Sequence, residues 1–143
     1  MNKQNSVELA TRWFREVWNE HNDATLVEML HPDAVGHIED RVILGLAGLR
    51  QARQEIVGAF PDFHLDIEAV IGHGEDVAAR WTLTGTHTGD GFPMPPTGIR
   101  VSIRGMTWLR FVDGRMVEGW DCWNQGKLLQ ELLAAAQQKQ RGK

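Results

Sequence analysis

The sequence of 143 residues contains a single cysteine and no tyrosine. Because Cys122 has no partner within the chain, an intrachain disulfide is excluded, and the sequence does not belong to the disulfide-rich class of small secreted domains. The lack of tyrosine removes one common proton donor from every mechanism that the chain could use.

Long hydrophobic runs are also lacking. Residues 1–10 are polar, without the apolar centre of a signal peptide, and no run approaches the ~20 apolar residues of a transmembrane helix. The net charge is −4, with acidic and basic residues interspersed, which is not typical of proteins that bind nucleic acids or anionic membranes. We therefore expect a cytoplasmic protein with no nucleic-acid and no membrane partner.

Several motifs that carry chemistry are missing as well. The histidines show neither the HExxH spacing nor a pairing with cysteine that would indicate a metal site. There is no Gly-x-Gly-x-x-Gly phosphate loop and no Gly-x-Ser-x-Gly nucleophile elbow. The sequence thus predicts no metal, no nucleotide cofactor and no serine hydrolase.

What is present is typical of one soluble domain. Hydrophobic residues make up 42% and charged residues 24% of the chain, and 143 residues suffice for one core without a metal or disulfide. We predict a single domain over 1–143, with residues 137–143 as a frayed polar tail.

The first third of the chain has the periodicity of helices. Apolar residues recur at helical spacing, and Pro61 ends the last helical segment. His31 precedes Pro32, and the residue before a proline disfavours the helical conformation, so the second helix is predicted to end at 31–33. An irregular stretch is predicted over 33–37. Three helices are predicted here. The first begins at Asn5, the second begins at Asn22 or Asp23, and the third spans 46–59.

The remainder alternates in the manner of strands. Strands are predicted at 63–71, 77–87, 99–111 and 116–123, with a Pro/Gly loop over 89–98, a hairpin turn at Asp113-Gly114 and a short closing helix around 128–133. Helices followed by antiparallel strands indicate the α+β class. Long strands curl, so we expect about three N-terminal helices packed on a curved antiparallel sheet that encloses a pocket.

Asp121 is the leading candidate for a catalytic group. It lies within an otherwise apolar predicted strand, between Trp120 and Trp123, and strand periodicity places Val117, Gly119, Asp121 and Trp123 on one face. An apolar environment raises the pKa of a carboxyl group, which can then exchange protons near neutral pH. The alternative is a structural carboxylate paired with an arginine such as Arg80 or Arg104.

His87 is the second candidate, because it ends a strand at the start of the Pro/Gly loop and histidine titrates near neutrality. The alternative is a hydrogen-bonded histidine at the rim. His37 could face a cavity mouth or lie on a surface loop. Cys122, on the strand face opposite Asp121, is expected to be a buried structural thiol.

The tryptophans allow two interpretations. Such residues most often belong to the core, but they also suit a pocket for a flat apolar ligand. The residues predicted to contact an apolar small molecule are His37, Trp81, Met94, Trp108, Trp120, Trp123 and Asn124.

At these residues the chain resembles the SnoaL-like polyketide cyclase family of the NTF2-like superfamily. Four segments carry the resemblance, namely residues 30–34, 85–98, 109–115 and 118–130. The most specific feature is the loop Met94-Pro95-Pro96-Thr97-Gly98 in order with the strand pair Trp120-Asp121.

The resemblance implies a cone-shaped sheet closed by helices, a homodimer, and a cofactor-free aldol cyclisation of a polyketide ester. The family's catalytic aspartate falls on Asp121 and a pocket histidine on His87. Three pocket positions differ: Asn124 replaces a second carboxylate, Thr107 a histidine, and Gly36 an asparagine.

The sequence therefore predicts a SnoaL-like cyclase, or a related cofactor-independent enzyme that moves a proton next to a carbonyl. Asp121 would act as acid and base, and His87 would hydrogen-bond the enolate or relay the proton. Two alternatives are a ligand-binding module of the same fold without turnover, and an epoxide hydrolase-like enzyme in which Arg80 or Arg104 assists Asp121.

Overall fold

The structure is a computed structural model that describes residues 5–39, 41–92 and 94–141. Its helices are α1 (Ser6–Arg12), which continues directly as a π-helical segment (Trp13–Asn19), α2 (Asp23–Met29), α3 (Gly45–Ala59) and α4 (Gln125–Arg141). Its strands are β1 (Leu30–Ile38), β2 (Arg41–Leu44), β3 (His64–His73), β4 (Asp76–Thr86), β5 (Arg100–Val112) and β6 (Arg115–Trp123).

The first helices begin where the sequence places them. The Asn5 side chain accepts a hydrogen bond from the backbone N–H of Glu8 (2.9 Å), and Asn22 accepts one from that of Thr25 (3.2 Å). α3 begins at Gly45, whose φ of +62° turns the chain from β2 into the helix at little steric cost. These three helix predictions are confirmed.

Within the described residues the strands form one six-stranded sheet in the order β2-β1-β6-β5-β4-β3. Neighbouring strands are antiparallel except β1 and β6, which are parallel. The prediction of a wholly antiparallel sheet was therefore wrong in this pair, since the stretch predicted as irregular at 33–37 is part of β1, and β2 was not predicted. The sheet is open, and together with the helices it gives the α+β arrangement that the sequence predicts.

Strand alternation gives the sheet two different faces. We call inner the face that carries the buried side chains of β4 and β5, among them Ala79, Trp81 and Ile103, which join the hydrophobic core with the N-terminal helices. The outer face carries exposed residues of the same strands, such as Arg80 and Trp108. The sheet side chains that point towards a cavity between the sheet and the helices are therefore those of the inner face.

The last helix of the described residues is longer than the sequence indicates. α4 spans Gln125–Arg141 and includes residues 137–141 of the segment predicted to be frayed; residues 142 and 143 lie outside the described part. Leu128 and Leu132 of α4 are buried in the core. No helix in the described part of the chain has both the length and the apolar character needed to span a bilayer.

Candidate active site

A cavity of about 110 Å³ lies between the inner face and the helices. This is the order of size of the ~150 Å³ apolar cavity that binds benzene in an engineered protein. Most of the lining is apolar, with Thr107 and Asp121 as polar members on the inner face. Lining residues from the helices include Trp13, Phe14, Trp18, Leu49, Ala52 and Ile56.

Asp121 lies in the wall of this cavity. On β6 it is flanked by Ile38 of β1 on one side and Thr107 of β5 on the other. The residue is half-buried, and burial of the carboxyl raises the pKa of Asp121 to about 6, although the hydrogen bond from Thr107 acts to lower the pKa. The pKa of Asp121 is thus shifted in the direction that an apolar environment predicts, and the cause is loss of solvation.

A directed hydrogen-bond chain holds the carboxyl. The Trp81 indole Nε1–H donates to Oγ1 of Thr107 (2.8 Å), and Thr107 Oγ1 donates to Oδ1 of Asp121 (2.5 Å). Trp81 and Thr107 are both buried, so this chain is shielded from competing water. Asp121 thereby receives one strong, fixed donor in an otherwise apolar wall.

The cavity wall beside Asp121 is bare backbone. Gly36 of β1 faces Gly119 of β6, one inner-face position before the pair formed by Ile38 and Asp121. A Cβ on Gly36 would lie 3.5 Å from Cβ of Ile43, which is an ordinary contact, so the absence of a side chain is not demanded by packing. The two glycines form a flat floor next to the carboxyl.

His37 has partners on the outer face. Its Nε2 lies 2.7 Å from a carboxylate oxygen of Glu118, and its ring stacks on Trp120 at a centroid distance of 5.6 Å. His37 and Trp120 are among the residues at the cavity. His37 follows Gly36 on β1, and Trp120 lies between Gly119 and Asp121 on β6. Because successive side chains of a strand point to opposite faces, the side chains of His37 and Trp120 project from the outer face.

The structure does not bring His87 to this cavity. The ring is fully buried against Phe60 and Phe92, at centroid distances of 5.6 and 6.0 Å. Nδ1 accepts the backbone N–H of Thr97 (3.2 Å) and lies 2.9 Å from its hydroxyl. Burial lowers the pKa of His87, with a smaller contribution from Lys139, which favours the neutral ring with its proton on Nε2.

Of the other residues predicted to contact a ligand, two line the cavity and three lie elsewhere in the fold. Trp81 and Trp123 line the cavity. Trp108 is half-exposed on the outer face, where its Nε1–H donates to Asp76. Asn124 accepts the Lys127 backbone N–H at the start of α4. Met94 packs against the core in the loop before Thr97. Met94, Trp108 and Asn124 are not among the lining residues identified in the described part of the chain.

The arginines considered as partners of Asp121 lie elsewhere. Arg80 pairs with Glu68 (3.1 Å), and Arg104 contributes to lowering the pKa of the same Glu68 carboxyl. All three residues are on the outer face, so the arrangement does not provide the Asp–Arg set of an epoxide hydrolase-like site. Over residues 5–39, 41–92 and 94–141, no cluster of three or more His, Cys, Asp or Glu could hold a metal ion.

Two features of the site were missed by the sequence analysis. Thr107 was noted as a departure from the family pattern, but its hydrogen bond to Asp121 was not predicted. The helical wall formed by Trp13, Phe14 and Trp18 was assigned no part in the pocket, although the large aromatic rings at helical spacing were a usable signal. The expectation of a buried Cys122 was wrong, since the thiol is exposed on the outer face.

Comparison with known families and structures shows what the chain is similar to. The model of the SnoaL-like polyketide cyclase family matches residues 8–132. Comparison with curated proteins gives no match.

Among solved structures, AclR of Streptomyces galilaeus, a proposed hydroxylase, is 34% identical over 87% of this chain and 92% of its own, with a TM-score of 0.77. A proposed polyketide cyclase of Acidithiobacillus ferrooxidans is 27% identical over 94% and 99%, with a TM-score of 0.76. IdmH of Streptomyces antibioticus, also a proposed polyketide cyclase, is 26% identical over 90% and 99%, with a TM-score of 0.76.

Proposed function

Because this chain belongs to the SnoaL-like polyketide cyclase family, we propose that it catalyses an aldol-type cyclisation or isomerisation of a small apolar carbonyl compound. Asp121 is the general acid and base. The reaction moves protons and forms a carbon–carbon bond within one molecule, so it is balanced without an oxidant or a reductant.

The observation that carries this proposal is the environment of Asp121. A carboxyl with a pKa of about 6 is mostly ionised at neutral pH and is a stronger base than an ordinary aspartate. It also lies in the wall of a cavity the size of one aromatic ring. A purely structural aspartate would be stabilised by an arginine and would have a lowered pKa, so these properties favour an enzyme over a binding module.

The proposed steps follow from this geometry. The Asp121 carboxylate removes a proton from a carbon next to a carbonyl, which leaves an enolate. The enolate carbon attacks a second carbonyl of the same molecule, and the resulting alkoxide takes the proton back from Asp121. Because the cavity is mainly apolar, we expect a substrate whose enolate charge is spread over a second carbonyl or an aromatic ring.

His87 has a different role in this proposal from the one expected from the sequence. Its Nδ1 holds the loop through Thr97, and its ring packs on Phe60 immediately after α3. Gly89 and Gly91 of the same loop lie against the backbone of α3 at distances that a side chain would not allow. We infer that His87 braces α3, which lines the cavity, and does not contact the ligand.

Proton abstraction can be tested without knowing the natural substrate. Acetophenone is a one-ring ketone, and uptake of deuterium from heavy water into its methyl group can be followed by NMR. We expect the protein to accelerate this exchange and Asp121→Asn to lose about 10²- to 10⁴-fold of the acceleration. Asp66→Asn, an exposed aspartate on β3, is the matched control. Equal exchange rates with Asp121→Asn and the unaltered protein would show that Asp121 is not the base.

Hydroxylation is the second candidate function, since AclR is a proposed hydroxylase. The two reactions can share the first step, after which the carbanion formed by Asp121 attacks a carbonyl carbon in cyclisation. In hydroxylation it would attack the outer oxygen of a hydroperoxide, which is the two-electron oxidant; the O–O bond breaks, and the alkoxide that leaves takes the proton from Asp121. Product mass separates them: cyclisation keeps the mass of the substrate or loses water, whereas hydroxylation adds one oxygen atom.

We also propose that the protein is a homodimer paired through the outer face. Register places one residue from every strand in a continuous line across this face. Several of its members are large and exposed, with Val42 58%, Trp108 50% and Ile71 73% accessible. A second copy offers the same apolar surface in a two-fold arrangement. We call this line the outer apolar row: Val42, His37, Trp120, Trp108, Ala78 and Ile71.

A further inference from the structure

Thr107 occupies the centre of the hydrogen-bond chain that ends at Asp121. It is buried on the inner face of β5, directly opposite Asp121 in register. Its hydroxyl contacts Trp81 Nε1 at 2.8 Å and Asp121 Oδ1 at 2.5 Å. These are the two hydrogen-bond partners of this hydroxyl among the residues that the structure describes. The position of its one hydrogen can therefore be deduced.

Donor and acceptor capacities fix the direction of the chain. An indole nitrogen can only donate, so Trp81 uses a lone pair of the Thr107 hydroxyl. An ionised carboxylate can only accept, so the hydroxyl hydrogen points at Oδ1 of Asp121. Both neighbours of Thr107 are satisfied in this one orientation.

The same reasoning applies after Asp121 has taken up a proton. If that proton were on Oδ1, the Thr107 hydrogen would have to turn away and would have no acceptor among its described contacts. A buried hydroxyl that loses its acceptor is costly. If the proton is on Oδ2 instead, both hydrogen bonds of the Thr107 hydroxyl remain as they are. Oδ2 has no hydrogen-bond partner among the described residues, and Asp121 lines the cavity.

We propose that Thr107 is a positioning residue that, held by Trp81, reserves Oδ1 of Asp121 as an acceptor and leaves Oδ2 as the oxygen that exchanges the proton with the ligand. This inference rests on the proposed function of Asp121 and adds which of its oxygens reacts. The reacting lone pair then has a fixed direction into the cavity, which is the condition for efficient proton transfer.

No neighbouring charged group in the described part of the chain accounts for the raised pKa of Asp121. His37 and Glu118 pair with each other on the outer face, as do Arg80 and Glu68. The helical residues that line the cavity are apolar, and they include Phe14 from the π-helical segment. Burial and the hydroxyl of Thr107 are the two influences on the pKa of Asp121.

The test is a titration of Asp121 in the ligand-free protein, labelled with ¹³C at the aspartate carboxyl groups and followed by NMR. Thr107→Val keeps the shape of the side chain and removes its hydroxyl. We expect the pKa of Asp121 to rise by about one to two pH units in this variant, because one donor to the charged form is lost. Thr107→Ser restores the hydroxyl and should return the pKa to that of the unaltered protein.

The Trp81 indole resonance gives a second readout. In the unaltered protein the chemical shift of its N–H should change with pH at the pKa of Asp121, because the Thr107 hydroxyl hydrogen-bonds to both groups. In Thr107→Val this coupling should disappear while the other tryptophan signals remain. If Thr107→Val does not fold, Thr107→Ala removes the same hydroxyl and leaves a small void.

An unchanged or lowered pKa in the variant without the hydroxyl, or an indole signal that still follows Asp121, would overturn the proposal. The titration requires no turnover. It therefore fails or succeeds separately from the deuterium-exchange test of Asp121 as the catalytic base. Where exchange is measured, the rise of its rate with pH should shift to higher pH with the pKa in Thr107→Val, which a merely structural role would not cause.

Discussion

At the scale of single residues, the Asp121 carboxyl links the stability of the protein to pH. Its pKa is about 6 in the folded protein, against an ordinary value of 3.8. Between these values the folded state binds more protons than the unfolded state, so stability falls as the pH rises through this window. Two pH units correspond to about 3 kcal/mol, and this cost is fully present above the folded pKa.

Asp121→Asn should therefore stabilise the folded protein above pH ~7, although the same change is expected to slow the exchange reaction. The amide removes the cost of burying a charge, so we expect a gain of up to about 3 kcal/mol in the free energy of unfolding near pH ~8, and little gain below pH ~4. Urea unfolding at several pH values measures this difference. Asp66→Asn, the exposed control, should show no such dependence, and a loss of stability in Asp121→Asn near pH ~8 would contradict the argument.

At the scale of elements, a bulge in the β5–β6 hairpin decides which residue faces Asp121. Counting from the predicted Asp113-Gly114 turn, a regular hairpin would place Asp121 opposite Met106. The register shifts by one residue between Arg110 and Phe111, so the partner is Thr107. Strand alternation predicts that Val117 lies on the same face as Asp121. Val117 is instead the extra residue of the bulge, between Met116 and Glu118, and Met116 is the residue buried in the core.

Local patterns predicted the elements well, and the sheet order less well. Asparagine caps, proline stops and alternation are local signals, and they located the helices and the strands β3 to β6. The partner of β1 is distant in sequence, since Gly36 faces Gly119. Neither local periodicity nor turn chemistry specifies such a pairing. Asp121 became a candidate because its predicted strand is apolar, whereas the contact between Thr107 and Asp121 follows only from the observed register.

The β1–β6 pair leads to a prediction about ligand size. Because Gly36 and Gly119 have no side chains, the cavity has room for an aromatic ring of a ligand beside Asp121. We call these two residues the glycine floor. In Gly36→Ala the new methyl group meets Ile43 at an ordinary distance, so we expect the protein to remain folded with a smaller cavity. Binding of acetophenone, followed by tryptophan fluorescence, should weaken by about 10-fold or more.

The matched control for this variant is Gly126→Ala, since Gly126 is exposed in the first turn of α4 and its nearest neighbour is the Asn124 side chain at 3.6 Å. This variant should bind acetophenone as the unaltered protein does. Equal affinities for Gly36→Ala and Gly126→Ala would mean that the ligand does not lie on the glycine floor.

At the scale of the whole molecule, the same two strands serve both faces of the sheet. On the inner face β1 and β6 present the glycine floor and Asp121, and on the outer face they present His37 and Trp120. Pairing of two copies through the outer apolar row would cover the back of the wall that carries the site. The cavity would then be supported on one side by helices and on the other by the partner.

Trp108→Glu should therefore convert a dimer into a monomer without entering the cavity. Trp108 lies in the middle of the outer apolar row and is half-exposed in the single chain. A charge there would be buried and costly in a dimer. In a monomer it would stay in water, and the cost would be limited to the lost hydrogen bond to Asp76 and the added negative charge beside it. Light scattering should give about twice the chain mass of 16.1 kDa for the unaltered protein and one chain mass for the variant. Ser102→Glu adds the same charge to the outer face of β5, away from the row, and should remain dimeric. A monomeric unaltered protein, or a Trp108→Glu variant that stays dimeric, would show that this face is not the interface.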